Sequence, residues 1–160
     1  MLGKVLYNID GSHDLLIFVH LYINLSNIIS RKAETLNMND LKGKVALITG
    51  GNQRAGKVFT LELAKAGADI AVNYWKSEQD AIQTKKEVEA LGRKCLMREV
   101  SNTDIKGMQN FVDEIDKTFG RLDILVHNAA NFNQAPFLEV TEEHWDGSMN
   151  IILKGAFFLS

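Results

Sequence analysis

The chain has 160 residues, 46% of them hydrophobic and 24% charged, which is enough apolar content to bury the core of a single domain. Its net charge of −2 gives nucleic acid or an anionic membrane surface no electrostatic reason to bind. A single cysteine, Cys95, excludes an internal disulfide, and four scattered histidines offer no metal-ligand spacing, so no metal site and a reducing, cytoplasmic setting are expected.

The first segment does not match the remainder of the chain. "LLIFVHLYINLSNII", residues 15–29, is apolar but shorter than the roughly 18 residues needed to cross a bilayer. Asp10 and Asp14 precede the run and "SRKAE" comes after it, the wrong charge order for a signal peptide. The run also lacks the basic polar face of a surface anchor. Residues 1–37 are therefore expected to be an extension foreign to the domain, disordered or not native, with Met38 opening the domain proper over residues 38–160.

From Lys42 onward, short apolar runs alternate with helix-length amphipathic stretches. "KVALITG", "DIAVNY", "KCLMREV" and "LDILVHN" are apolar enough to be strands buried on both faces. Between them, Phe59, Leu63 and Ala66 fall at i, i+4 and i+7, while Met108, Phe111, Val112, Ile115 and Phe119 hold one helical face. Gly67, Gly92 and Gly120 each come after such a stretch, where a left-handed residue closes a helix. This rhythm predicts right-handed βαβ crossovers. The fold class is α/β, a Rossmann-type doubly wound parallel sheet represented by its N-terminal part, with four strands in the order 3-2-1-4.

Such sheets take ligands beyond the carboxyl ends of their strands, where the winding reverses. That point lies between the turns after the first and fourth strands, "TGGNQRAG" and "HNAANFNQAP". Gly50 and Gly56 suit a tight strand-to-helix turn whose N–H groups and helix dipole meet a phosphate. Glycines also close ordinary turns; the position between an apolar strand and an amphipathic helix is what marks this one as a phosphate cradle.

Together with "HNAA" and the opening "LKGKVALITGG", this turn resembles that of the short-chain dehydrogenase/reductase family, over a stretch from about Leu41 to Ser160. The family's turn reads T-G-x-x-x-G-x-G; Arg54 replaces the middle glycine, as in the T-G-x-x-x-R-x-G form of pteridine reductases and their relatives. The family's N-N-A-G is His127, Asn128, Ala129 and Ala130 here.

The resemblance implies a cofactor site made by Gly50, Asn52, Gln53, Arg54, Ala55, Gly56, Tyr74, Trp75, Lys76, Ser77, Glu99, Val100, Asn128, Ala129 and Ala130. Thr49 and Asn128 would tie the two loops together, Glu99 and Val100 would border the adenine, and Asn128 to Ala130 would line the ribose. The resemblance also puts Tyr74 where NAD-preferring members carry a carboxylate for the ribose hydroxyls. An uncharged residue there, with Lys76 and Arg54 close by, implies NADP(H) over NAD(H), because arginine grips phosphate bidentately and lysine adds a point charge. Gln53 stands where the family's usual NADP arginine would be. Cys95, Met97 and the phenylalanines of the 108–119 helix are expected in the core, His127 as a packed strand-end residue, and Trp75 and Trp145 in exposed loops.

Carbonyl reduction in the family uses a tyrosine, a lysine four residues later and an upstream serine beside the nicotinamide. None of Tyr7, Tyr22 or Tyr74 has a lysine after it at that spacing. The position of the family's helical relay asparagine holds Ile152, and Asn150 lies about 200° away around a helix. No catalytic residue is therefore assigned. The reading is the cofactor-binding half of an NADP-dependent oxidoreductase that reduces a carbonyl or pterin-like small molecule. The alternative is a non-catalytic nucleotide-binding remnant; a methyltransferase-type domain is weaker, since it too would want an acidic residue ending the second strand. A small-molecule substrate is expected, with no nucleic acid or membrane as partner. Intact family members are homo-oligomers, and a chain truncated after the fourth strand would leave "LDILVHN" as an apolar edge prone to self-association.

Overall fold

The computed structural model describes residues 15–17, 41–131 and 135–160. In chain order these form β1 (Leu15–Ile17), β2 (Val45–Thr49), α1 (Arg54–Lys65), β3 (Asp69–Tyr74), α2 (Glu78–Ala90), β4 (Cys95–Glu99), α3 (Ile105–Phe119) and β5 (Ile124–Val126). A 3-10 turn (Phe137–Glu139), α4 (Glu142–Met149), a π-helical turn (Asn150–Lys154) and α5 (Gly155–Leu159) complete the described chain.

All pairings in the sheet are parallel. The four expected strands run β4-β3-β2-β5, the 3-2-1-4 order of a doubly wound sheet. The three-residue β1 adds a fifth position beside β5, with Leu15 opposite Ile124 and Ile17 opposite Val126. Along Ile124–Val126 the expected open edge is thus paired, because backbone donors and acceptors on an edge accept any extended segment within reach. The remainder of the 1–37 extension lies outside the described residues.

Period-two alternation splits the core in two. Ala46, Ile48, Ile70 and Val72 face α1 and α2, packing with Ala64 and Val88. Val45, Leu47, Ala71 and Leu125 face α3, packing with Met108, Phe111 and Ile115. Cys95 and Met97 pack partly buried against the first cluster, and burial pushes the Cys95 thiol up to about 12, which makes it an inert core group. The buried stripe of α1 is Gly56, Thr60 and Ala64; Ala66, just past its end, is buried as expected, whereas Phe59 and Leu63 are only partly buried. Phe59 and Leu63 cover the rim of the cluster, since the close approach of α1 to β2 admits only small side chains at the centre.

Local signals end the helices as expected. Gly67, Gly92 and Gly120 have φ of 108°, 74° and 73°. Asp104 caps α3 by accepting from the Gly107 N–H at 2.8 Å, and Thr141 with His144 forms a capping box on α4.

Candidate functional site

β2 and β5 are neighbours, so the turns leaving their carboxyl ends meet, and Thr49 and Asn128 bind them. The Thr49 hydroxyl accepts from the N–H groups of Asn128 and Ala129, each at 3.0 Å. Asn128 Nδ2 donates to the carbonyl oxygens of Thr49 at 3.0 Å and Gly50 at 3.1 Å. Gly50 sits at φ 62°, a left-handed conformation that turns the chain into α1. Gly56 is required by contact rather than conformation. A Cβ there would overlap the Gly50 carbonyl oxygen and come within 2.5 Å of Asn128 Nδ2. Glycine at this place lets α1 close onto the strand end, with its N-terminus under the turn.

Beyond these turns opens a cavity of about 810 Å³, a size suited to a small-molecule cofactor. Its wall includes Gly50, Asn52, Gln53, Arg54 and Ala55 from the first turn, and Tyr74, Trp75, Lys76 and Ser77 from the loop after β3. Val100, Asn128, Ala129 and Ala130 are the other expected residues on it. Two expected residues stand off the wall. Gly56 packs behind the turn, and Glu99 reaches back to accept from the Lys76 N–H at 3.2 Å. Glutamate is long enough to make that contact, so its carboxylate belongs to the loop carrying Lys76.

The wall also holds residues that sequence reasoning missed: Asn73 on β3, Ser101, Asn102 and Thr103 after β4, Asn131, and Gly147 with Ile151. The polar run "SNTD" at a strand's carboxyl end was the available signal for the three after β4. Gly147 and Ile151 are four residues apart, one face across α4 and the π turn. Neither Asn150 nor Ile152 lines the cavity, and the helix presents Ile151 to it instead.

Arg54 and Lys76 occupy left-handed backbone, with φ of 50° and 56°, the only non-glycine residues described that do so. Among the described residues neither side chain enters an ion pair, and Lys76 Nζ lies 5.6 Å from the Trp75 ring centroid. Two cations thus line a cavity whose wall, among the described residues, carries no carboxylate. Desolvation, with repulsion from Glu78 and Glu99, raises the pKa of the Tyr74 phenol against a smaller lowering by Arg98. That is the reverse of what proton transfer at neutral pH requires. His127 is off the wall, its Nε2 3.0 Å from Ser160 Oγ, and burial depresses its pKa. It is a packed strand-end residue, as expected.

Trp75 and Trp145 are exposed. No group of three or more potential metal ligands occurs among the described residues, and none of their helices is long and apolar enough to cross a membrane.

A glycine turn at the switch point of a doubly wound sheet, beside a cationic cavity, defines a Rossmann-type dinucleotide-binding domain. The family model for short chain dehydrogenases matches residues 44–160, and the chain belongs to that family. It is 38% identical over 126 residues to a 2-dehydro-3-deoxy-D-gluconate 5-dehydrogenase of Dickeya dadantii, covering 78% of this chain and 48% of the relative. It is 33% identical over 120 residues to a hydroxynaphthalene reductase of Aspergillus fumigatus, covering 75% and 44%. A short chain dehydrogenase from Burkholderia cenocepacia, solved in complex with NADP, superposes with a TM-score of 0.72 at 34% identity, over 74% of this chain and 49% of that one. The chain therefore spans about half the length of the relatives it matches.

Proposed function

We propose that this cavity binds NADP(H), and that the chain is the cofactor-binding half of an oxidoreductase acting on a carbonyl or pterin-like small molecule. The observation that carries the reading is the convergence of Arg54 and Lys76 on one cavity that has Tyr74, not a carboxylate, at the end of β3. A 2′-phosphate is repelled by a carboxylate and attracted by paired cations. The residues present fit such a cofactor. The turn from Gly50 to Ala55 would receive the pyrophosphate at the start of α1, and Arg54, Lys76 and Ser77 the 2′-phosphate. Val100 would border the adenine, and Asn128 to Ala130 the ribose.

When bound, the nicotinamide supplies the hydride, and what this chain contributes is binding, orientation and exclusion of water. The position of the family's relay asparagine holds Ile152. That observation favours the second reading, a nucleotide-binding module without turnover of its own. Calorimetric titration with NADPH and NADH tests the first reading. Tighter NADPH binding is expected, and equal affinities overturn it. Oxidation of NADPH in the presence of a ketone or pterin panel tests the second, and turnover above background by this chain alone rejects it.

A further inference from the structure

One buried side chain holds the glycine turn against the loop after β3. Asn52 is 2% exposed, and its Nδ2 donates to Ser77 Oγ at 2.7 Å and to the Ser77 carbonyl oxygen at 3.2 Å. Its own main-chain oxygen accepts from Thr84 Oγ1 of α2 at 2.9 Å, while Thr60 Oγ1 of α1 donates to the neighbouring Gly51 oxygen at 2.8 Å. Thr60 and Thr84 are fully buried, so the turn is fixed from the domain interior. With both amide hydrogens on Ser77, Asn52 has none to offer a ligand even though it reaches the cavity wall.

The two cations follow and precede the bonded residues in the chain. Arg54 comes two residues after Asn52 and Lys76 precedes Ser77 by one, each in left-handed backbone. A non-glycine residue persists there only where its surroundings over-determine it. For Lys76 those surroundings are Ser77, held by Asn52, and Glu99, which accepts its N–H. We propose that Asn52 is a positioning residue: through Ser77 it keeps Lys76 in its left-handed conformation on the cavity wall that Arg54 also lines, and this placement of the lysine selects a nucleotide bearing a 2′-phosphate. The inference rests on the reading that the cavity binds NADP(H). Holding the backbone that carries Lys76 in place before binding removes an ordering cost that only the 2′-phosphate would otherwise meet, so the bond acts on the preference between nucleotides more than on the affinity common to both.

The test is calorimetry of the full chain with NADPH and NADH. In Asn52→Ala, the NADPH preference should fall about tenfold, beyond any loss common to both nucleotides. Thr84→Val loosens the Asn52 carbonyl from outside the cavity and keeps side-chain volume. It should cost about threefold in preference, and Thr84→Ser, which keeps the hydroxyl, should restore it. If Asn52→Ala does not fold, the comparison of Thr84→Val with Thr84→Ser decides. Equal weakening of both nucleotides, or an unchanged preference, overturns the positioning role alone. An unmutated chain that binds neither nucleotide overturns the functional reading with it.

Discussion

Asn128 donates two hydrogen bonds to Thr49: its Nδ2 to the Thr49 carbonyl oxygen and its backbone N–H to the Thr49 hydroxyl, both at 3.0 Å. The two residues lie 79 positions apart, so this double contact is what makes one site of two loops. Asn128→Ala leaves the Thr49 and Gly50 oxygens without that donor and should lower unfolding stability by about 1–3 kcal/mol, with nucleotide binding lost. Denaturant midpoints and calorimetry check this, and an unchanged midpoint would count against the joint.

Gly56→Ala and Gly92→Ala separate contact from conformation. A methyl at Gly56 meets the Gly50 carbonyl and the Asn128 amide, and should cost about 1–3 kcal/mol together with nucleotide affinity. At Gly92 nothing lies within 4 Å, so only its left-handed φ of 74° is penalised, by roughly 1 kcal/mol, and binding should be untouched. Melting curves of the two variants, each with and without NADPH, distinguish the cases.

Lys76→Asp reverses the charge on one side of the cavity. NADPH binding should weaken by about 1–3 kcal/mol, the scale of a lost charge-assisted contact, while NADH binding holds or improves. Parallel titrations read both, and equal losses would place Lys76 away from the 2′-phosphate.

Acid should weaken the fold through Asp123. Burial works against ionisation of this carboxyl, but hydrogen bonds from Arg121, the Val45 N–H and Lys44, together with the Lys44 charge, outweigh it and hold the pKa at about 2. The folded value lies below the ordinary 3.8, so the stabilisation is present above pH 3.8 and lost as pH falls toward 2. Half-exposed Lys44 and Arg121 are screened by solvent, which leaves an effect of about 1–2 kcal/mol. Asp123→Asn should flatten the stability–pH curve in that window, measured as denaturant midpoints against pH.

The 3-10 turn and α5 expose large apolar side chains: Phe137 is 90% exposed, Leu138 94%, Phe157 73% and Phe158 54%. Apolar surface of this kind favours association, so the chain is expected to elute above its monomer mass in gel filtration. Phe157→Asp should shift it toward monomer. A sharp monomeric peak from the unmutated chain would reject the expectation.

Sequence alone determined the strand and helix rhythm, the glycines at 67, 92 and 120, the parallel order of four strands and the meeting of two loops at the switch point. Each arises from local periodicity, or from the Rossmann strand order that the family resemblance implies. It also named most of the cavity wall, because the glycine turn and the strand ends carry their positions with them. Only the tertiary structure decided that Gly56, Thr60 and Ala64 form the buried stripe of α1, that Ile151 rather than Asn150 or Ile152 reaches the cavity, and that Leu15–Ile17 pairs with β5. The same holds for Glu99 turning back to Lys76 and for Asn52 gripping Ser77. These contacts join residues 23 and 25 positions apart whose side chains have several local alternatives. Which alternative wins depends on the close approach of α1, α2 and the sheet, and no local pattern encodes that distance.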